Sequence, residues 1–425
     1  MDVGAFQALN RFGFGPGAPP TDPKGWLQAQ LGQPDTGPSP APSTVMALEA
    51  LKYDRENKPP PGQSQSRALY RQDALALLSN ALTTATPYRE RLVWFWANHF
   101  TVSTRQGGCA GLIGAFVQEA IRPHVTGRFK DMLLAVVRHP AMLLYLENAG
   151  SVGPESRAGQ RNHRGLNENL ARECMELHTV SPASGYTQAD VTNFARILTG
   201  WSVDLKGDPP GFRFRPFAHE PGEIVLMGRT FPPGEAGGVA ALEFLGTHPA
   251  TYHRLAAQLT CHFVADQPPA EAVRRIETVL RDTGGDLGAA SRALIDLPEA
   301  WQPQAKLRSP AELLIASYRA LEMEQAPPQA LGSLALLGQP MWSAVQPDGW
   351  PDKASGWIGP EAMMRRVDFA FALAGRAKEQ SDPGAMAEAA LGPVLRPATL
   401  TAVQRAGSRH EAVALMLASP EFQRR

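Results

Sequence analysis

The stretch 166–201 contains an unusual number of polar side chains for a helical segment. Polar groups are costly to desolvate, so a helix that carries many of them pairs them with one another or uses them in a site. On a continuous helix, Glu173 lies three residues before Glu176, so both carboxylates can face a common partner. We assign candidate catalytic roles to Glu173, Glu176 and His178, and candidate substrate-binding roles to Asn169 and Arg172.

A structural role for the same helix is an alternative. Arg172 and Glu176 have the four-residue spacing of an ion pair along one helix face, and structural networks also hold buried charges. The sequence TVSPASG, residues 179–185, contains a proline and a glycine and predicts that the helix ends there. His178 would then lie at the helix C-terminus, where the macrodipole favours its charged form. Both a site residue and a cap fit that position.

Two further histidines lie outside this helix. His99 follows the aromatic run FWANHF, and His219 precedes Glu220 in an irregular segment. Together with Glu173 they supply the nitrogen and oxygen ligands that zinc, manganese and iron accept, so His99, Glu173 and His219 are candidate ligands of a divalent metal. Each histidine could equally be a hydrogen-bonded core residue. The chain has no HExxH, no pair of ExxH motifs, no GxSxG and no Walker loop.

Aromatic residues mark a third region near the C-terminus. Trp342 precedes the proline-containing run QPDGWP, Trp350 lies within it, and Trp357 follows. Such residues can stack on sugars or peptides, or cover the core where a loop crosses helices. We assign Trp342 and Trp350 as candidate substrate-binding residues.

The composition narrows the class of protein. Lys+Arg and Asp+Glu are both 41, so no overall positive field exists to attract nucleic acid, and we expect no nucleic-acid partner. The three cysteines have no CxxC spacing, which argues against a disulfide framework or a thiolate zinc site. We find no signal peptide and no run of about 20 apolar residues. The sequence therefore predicts a soluble, cytoplasmic protein without a membrane span.

Helical periodicity dominates the elements that must position these residues. Residues 67–83 carry leucines at three- and four-residue spacing, and Thr86 with Pro87 begins an aromatic helix that we expect to be central. Thr187 with Asp190 predicts a capping box. Further helices are predicted over 112–121, 129–138, 140–146, 167–177, 188–199, 238–245, 251–263, 270–282, 287–294, 310–321, 328–337, 360–373, 386–391 and 411–418.

Alternation of apolar and polar residues is convincing in one segment only. Residues 212–231 predict a β-hairpin around a Pro-Gly turn, inserted into a helical body. We therefore predict a mainly α protein, folded as one large helical domain over 1–425, with a soft boundary near 325–328.

The ordered motifs of the chain resemble those of the bacterial domain-of-unknown-function family 1800. The matching segments are LNRFGFGP (9–16), FWANHFTVS (95–103), HPAMLLYLEN (139–148), NENLARECMELHTV (167–180), GYTQADVTNFARILTGW (185–201), FVADQPP (263–269), LRSPAELLIASYRAL (307–321) and 337–351, which begins LGQPMW and ends GWP. The resemblance implies a mainly helical fold and transfers no activity. It also implies, by analogy, a sulfatase-like partner family and export as the alternative location. Cys174 and Ser181 stand where relatives commonly have leucine or methionine and glycine.

Two functions fit these observations. The first is an enzyme with a carboxylate and histidine site, which could use a metal, acting on an extended polymer with a glutamate as general base. The second is a binding or assembly protein, in which the polar helix is structural and the tryptophan-rich loop meets a partner.

Overall fold

The computed structural model describes residues 1–34, 37–162, 165–303 and 306–425, and they form a mainly α protein, as predicted. The first α-helices in chain order are α1 (Val3–Gln7), α2 (Pro23–Gly32), α3 (Thr44–Asn57), α4 (Gln65–Thr83), α5 (Pro87–His99), α6 (Ile113–Phe116), α7 (Phe129–Arg138), α8 (Pro140–Tyr145), α9 (Arg157–Asn162), α10 (Asn169–Glu173) and α11 (Gln188–Ile197). They are followed by α12 (Glu235–Gly246), α13 (Pro249–Phe263), α14 (Ala270–Asp282), α15 (Leu287–Ile295), α16 (Pro310–Ala320), α17 (Ala330–Leu336), α18 (Pro360–Ala374), α19 (Pro383–Leu391), α20 (Pro397–Gln404) and α21 (Arg409–Ala418).

Local sequence signals explain where several helices begin. Pro87 starts α5, where the missing amide of proline costs no helical hydrogen bond. The predicted capping box of Thr187 and Asp190 is present at α11. A second capping box, formed by Ser309 and Glu312, begins α16. The second of these caps begins α16, whose first turn lines the cavity described below.

Three helical segments widen into π-helix, over Ala8–Phe12, Val117–Ile121 and Cys174–His178. The third continues directly from α10, so the polar helix changes its winding after Glu173. An apolar pattern with a period near 3.6 does not reveal such a change, and the sequence analysis treated the segment as continuous α-helix. π-Helical turns are frequently found at functional sites.

The β-structure consists of two antiparallel pairs. Strand β1 (Trp201–Asp204) pairs with β2 (Gly211–Phe214), and β3 (Ile224–Leu226) pairs with β4 (Arg229–Phe231). The second pair is a hairpin inside the predicted segment, but its turn is Met227–Gly228 and not the Pro-Gly pair. Met227 and Gly228 both have positive φ, 48° and 77°, as the tight turns that match strand twist require.

Two hydrophobic clusters form the core. The larger one surrounds α5, where Trp96 and Phe100 are buried, so the prediction that this helix is central is confirmed. The smaller one joins α4 to α16, α18, α19 and α21. Trp342 packs against both clusters. Apolar residues before and after the predicted boundary at 325–328 belong to the smaller cluster, and the assignment of one domain stays a prediction. Among the described residues, no helix has both the length and the apolar content needed to cross a bilayer.

Candidate functional site

A cavity of about 310 Å³ lies where the two hydrophobic clusters meet. This volume is at the lower end of the range for small-molecule sites. The wall is formed by α5, α13, the first turn of α16 and the loop 339–352. Its polar and aromatic members are Phe14, Arg91, Trp94, Phe95, Asn98, His99, Thr101, Gln258, Cys261, His262, Ser309, Glu312, Gln339, Trp342, Asp348, Trp350 and Asp352.

The spacing of residues on α5 explains its contribution to the wall. Three residues of α5 follow Arg91 at offsets of three, four and seven positions, so all four form one stripe that faces the cavity. The three residues are Trp94, Phe95 and Asn98. Trp96 is buried in the larger cluster. One helix therefore supplies both a core face and a site face.

The loop 339–352 is attached to the end of α5 by its backbone. The side chain of Asn98 donates to the carbonyl of Trp350 at 2.9 Å and accepts from its amide at 2.8 Å. A Cβ at Gly349 would approach the Asn98 carbonyl to 2.5 Å and the Thr101 hydroxyl to 2.7 Å, and the φ of Gly349 is +81°. The close approach and the left-handed backbone together explain glycine at this position.

A second set of hydrogen bonds holds the same loop nearer its start. The amide of Thr104 donates to the carbonyl of Trp342 at 2.8 Å, and the hydroxyl of Ser103 donates to the carbonyl of Ala344 at 2.8 Å. Trp342 has a φ of +50°, which is rare for a bulky residue and costs conformational energy unless surrounding contacts enforce it. The loop thus holds two tryptophans in the cavity wall.

His262 and Asp352 form a hydrogen-bonded dyad in this wall, and their side chains are 14% and 31% exposed. Nδ1 of His262 lies 2.7 Å from Oδ1 of Asp352. A carboxylate only accepts hydrogen bonds, so Nδ1 carries the proton and Nε2 carries a lone pair. Nε2 is buried and has no hydrogen-bond partner among the described residues. Burial lowers the pKa of His262 to about 3, against the opposing effect of Asp352, so the ring is neutral at neutral pH.

Lys306 holds the carboxylate of this dyad from the other side. Its Nζ is fully buried, donates to the backbone carbonyl of Asp352 at 2.8 Å and lies 3.6 Å from Oδ2. It also pairs with Asp266. Burial alone would raise the pKa of Asp352, but His262 and Lys306 lower it below its ordinary value. Asp352 is therefore a fixed anion that orients the imidazole.

The floor of the cavity contains a shared ion pair. Glu312, in the first turn of α16, contacts the guanidinium of Arg91 and lies 3.1 Å from Nε of Arg425. Arg91 also donates to the carbonyl of Gly13 at 2.6 Å. This contact links the segment LNRFGFGP (9–16) to the cavity. Nε of Arg91 is buried without a hydrogen-bond partner in the described part of the chain.

His99 lines the cavity and His178 lies behind it. Nε2 of His99 is 3.2 Å from the carbonyl oxygen of His178, and the ring centroids are 5.9 Å apart. Both rings are buried, and burial lowers the pKa of His99 below its ordinary value and that of His178 to about 3. His178 does not line the cavity, so at least one layer of side chains separates it from the cavity space.

The predicted catalytic glutamates Glu173 and Glu176 are half-buried and do not line the cavity. Burial raises the pKa of Glu173, and the negative charges of Glu176 and Asp348 raise it further. Asp348 is an exposed member of the cavity wall, so its charge brings Glu173 within electrostatic range of the site. Tyr145 faces the same charges, and burial and Glu173 raise its pKa to about 12.

Other members of the polar helix make structural contacts. Arg172 pairs with Glu168 at 2.8 Å and not with Glu176, because helical side chains point toward the N-terminus and the α-helix ends at Glu173. The carboxylate of Glu168 also accepts from Thr192 at 2.6 Å. Asn169 is exposed and its amide nitrogen lies 3.4 Å from the Glu147 carboxylate. Neither Arg172 nor Asn169 lines the cavity.

The structure does not gather the three predicted metal ligands. Nδ1 of His219 lies 2.9 Å from the Thr199 carbonyl, and its Nε2 accepts from the Gly234 amide at 2.7 Å. This arrangement leaves His219 no nitrogen for a metal. Within the described ranges, no group of three or more His, Cys, Asp or Glu side chains is placed to hold a metal ion.

Of the predicted site residues, His99, Trp342 and Trp350 line this cavity, whereas the dyad of His262 and Asp352 was not predicted. His262 lies in an ordinary amphipathic helix, and Asp352 follows 90 residues later. The motifs FVADQPP and GWP, which directly follow or precede these residues, were the only nearby signals.

The chain belongs to the family described as "Protein of unknown function (DUF1800)", whose model matches residues 7–424. No curated protein and no solved structure gave a significant match.

Proposed function

Starting from a family without an assigned activity, we propose that this protein is an enzyme with a carboxylate and histidine site in the cavity. The observation that carries the proposal is the hydrogen-bonded dyad of His262 and Asp352 in the cavity wall, with Nε2 of His262 lacking a partner among the described residues. A histidine whose Nδ1 is fixed by a carboxylate is a recurring general base. Asp352 is the positioning residue.

The chemistry that fits best is hydrolysis. Nε2 of His262 accepts a proton from a water molecule while the water oxygen forms a bond to an electrophilic carbon of the substrate. The bond from that carbon to the leaving group then breaks, and the imidazolium returns the proton to the leaving group. Buried cationic groups such as Arg91 stabilise negative charge that develops in the transition state. The proposal uses only side chains of this chain and routes no step through a metal.

The substrate enters past Asp348, Trp342 and Trp350. The indole rings of Trp342 and Trp350 in the wall favour a ligand with flat or apolar faces. The cavity volume accommodates one monomer-sized unit. We therefore propose that the substrate is the end of an extended polymer or a small fragment of one. Glu173, close to Asp348, is a candidate proton donor because its carboxyl keeps its proton to higher pH.

A hydrolysis panel of esters, amides and glycosides tests the proposal. We expect turnover by the wild type, a fall in kcat of about 10²-fold or more in His262→Gln, and a smaller change in KM. Asp352→Asn should also lower kcat, because the imidazole loses the acceptor that fixes its tautomer. His253→Gln, at a histidine with a 65% exposed side chain, is the matched control.

Turnover that survives in His262→Gln would contradict the assignment. A panel with no turnover, together with a ligand that binds the wild type and His262→Gln equally, would instead favour a non-catalytic binding protein.

A further inference from the structure

A layer of buried cations lies directly behind the cavity floor. Its members are at most 3% exposed and comprise Arg11, Arg91, Lys306, Arg308 and Arg425. The carboxylates that pair with these side chains in the described residues are Glu312, Asp266 and Asp352. Cationic side chains therefore outnumber their carboxylate partners.

The arginines compensate for this shortage with neutral acceptors. Arg11 donates to backbone carbonyls, including that of Val264 at 2.6 Å, and Arg308 donates to the carbonyl of Phe422 and to Asn10. These bonds occupy the terminal nitrogens of both guanidiniums but do not neutralise their charge, and Nε of Arg11 has no hydrogen-bond partner among the described residues. Burial lowers the pKa of Arg91 well below its ordinary value, and the neighbouring Arg425 lowers it further. Arg11 and Arg308 thus have no side-chain carboxylate partner in the described part of the chain, and Arg91 shares Glu312 with Arg425.

Arg91 brings this charge to the cavity wall together with a hydrogen-bond donor. Two of its nitrogens are used by Gly13 and Glu312, and its Nε is the buried donor without a partner. Gln339 lines the same part of the wall, because its Oε1 accepts from the Ala311 amide at 2.8 Å. That bond fixes the amide orientation and leaves the Nε2 hydrogens of Gln339 as donors.

The N-terminus of α16 also favours a negatively charged ligand, although its backbone amides supply no free hydrogen-bond donors. Pro310 has no amide hydrogen, the Ala311 amide is bonded to Gln339, and the Glu312 amide is bonded to Ser309. The helix dipole still favours negative charge at this end. Glu312 does not oppose an anion strongly, since two guanidiniums share its carboxylate.

We propose that the cavity floor binds an oxyanion, a phosphate or carboxylate group of the ligand, through Arg91 and Gln339. The inference rests on the proposed function only in taking the cavity as the substrate site, and it assigns the substrate to anionic compounds. The anion completes the charge balance that the protein's own carboxylates leave open.

Titration calorimetry with inorganic phosphate and with acetate, at constant ionic strength, tests the proposal. The wild type should bind one of these anions saturably, one per chain, with a Kd below about 50 mM. The anion that binds more strongly identifies the oxyanion class.

Gln339→Glu keeps the acceptor for the Ala311 amide and replaces the donor with a tethered carboxylate. It should weaken anion binding on the order of tenfold or more and raise Tm, because the new carboxylate pairs with Arg91. Gln380→Glu, an exposed position outside the cavity wall, should bind like the wild type.

A second variant keeps the proposal testable if Gln339→Glu does not fold. Asp348→Asn removes a negative charge from the exposed edge of the cavity and should tighten anion binding about twofold to fivefold. Absence of saturable binding of both anions, or equal binding by the wild type and the foldable variants, would overturn the inference. Turnover of neutral substrates that depends on His262, without anion binding, would leave the proposed enzyme standing and refute only its anionic substrate. Anion binding without turnover would leave the oxyanion site standing and refute the proposed enzyme.

Discussion

Acidification should destabilise the protein through His178. Its side chain is 1% exposed, and burial lowers its pKa to about 3, whereas a histidine in an unfolded chain has a pKa of about 6.5. Between these values the unfolded state binds a proton that the folded state does not bind. The free energy of unfolding therefore falls as the pH drops below about 6.5, and it is insensitive to this group above that pH.

The size of the loss in the free energy of unfolding follows from the pH interval between the folded and unfolded pKa values of His178. One such group changes the free energy of unfolding by about 1.4 kcal/mol per pH unit, so the loss from about pH 6.5 to about pH 5 is about 2 kcal/mol. Domains are typically stable by about 5 to 15 kcal/mol, so this loss is measurable. His262, whose pKa burial also lowers to about 3, should add a loss of the same sign.

Urea denaturation at a series of pH values from about 7.5 to about 5 measures the effect. His178→Phe is the informative variant, because neither ring nitrogen of His178 has a hydrogen-bond partner among the described residues and Phe100 already packs against the ring. The variant should lose about 1.4 kcal/mol per pH unit of the wild-type slope. His253→Phe, at an exposed histidine, controls for the substitution itself. Equal slopes in the wild type and His178→Phe would refute the reasoning.

Three further predictions concern the loop and the polar helix. Gly349→Ala should lower the free energy of unfolding by about 2 to 4 kcal/mol in urea denaturation, whereas Gly338→Ala, also at positive φ but with nothing within 4 Å of its Cβ, should lose only about 1 kcal/mol. Equal losses would mean that contact with Asn98 is unimportant. Ser181→Gly should raise stability by about 1 kcal/mol, because Ser181 has φ 61° and ψ 160°, a conformation that glycine favours; an unchanged Tm would contradict this. Glu173→Gln should leave stability at neutral pH equal or higher, since burial raises the pKa of Glu173 and so disfavours its charged form; a clear loss of stability would show that the carboxylate has a structural partner.

The elements that depend on local signals could be predicted from the sequence. Pro87 and the pair of Thr187 and Asp190 begin helices where their residue types require it. The π-helical turn at Cys174–His178 could not be predicted, because it depends on how the helix packs and not on its apolar spacing. The same change of winding explains why Arg172 and Glu176 do not form the ion pair that was the structural alternative for this helix.

The candidate site was only partly predictable, because its parts are brought together by long-range packing. Trp350 and His99 were noticed for their type and neighbourhood, and both line the cavity. His262 and Asp352 come from α13 and a loop that follows α17, and nothing within either segment indicates the other. Residue type alone therefore suggested the polar helix, whereas burial and geometry favour the dyad.

The attachment of the loop to Asn98 has a consequence for how this site could change during evolution. Asn98 binds the amide and the carbonyl of residue 350, which every amino acid except proline provides. The side chain at position 350 can therefore be exchanged without releasing the loop, whereas positions 98 and 349 cannot vary in this way. The fold separates the residue that anchors the wall from a residue whose side chain lines the cavity, so the shape of the cavity can diverge at position 350 while the geometry of the dyad is retained.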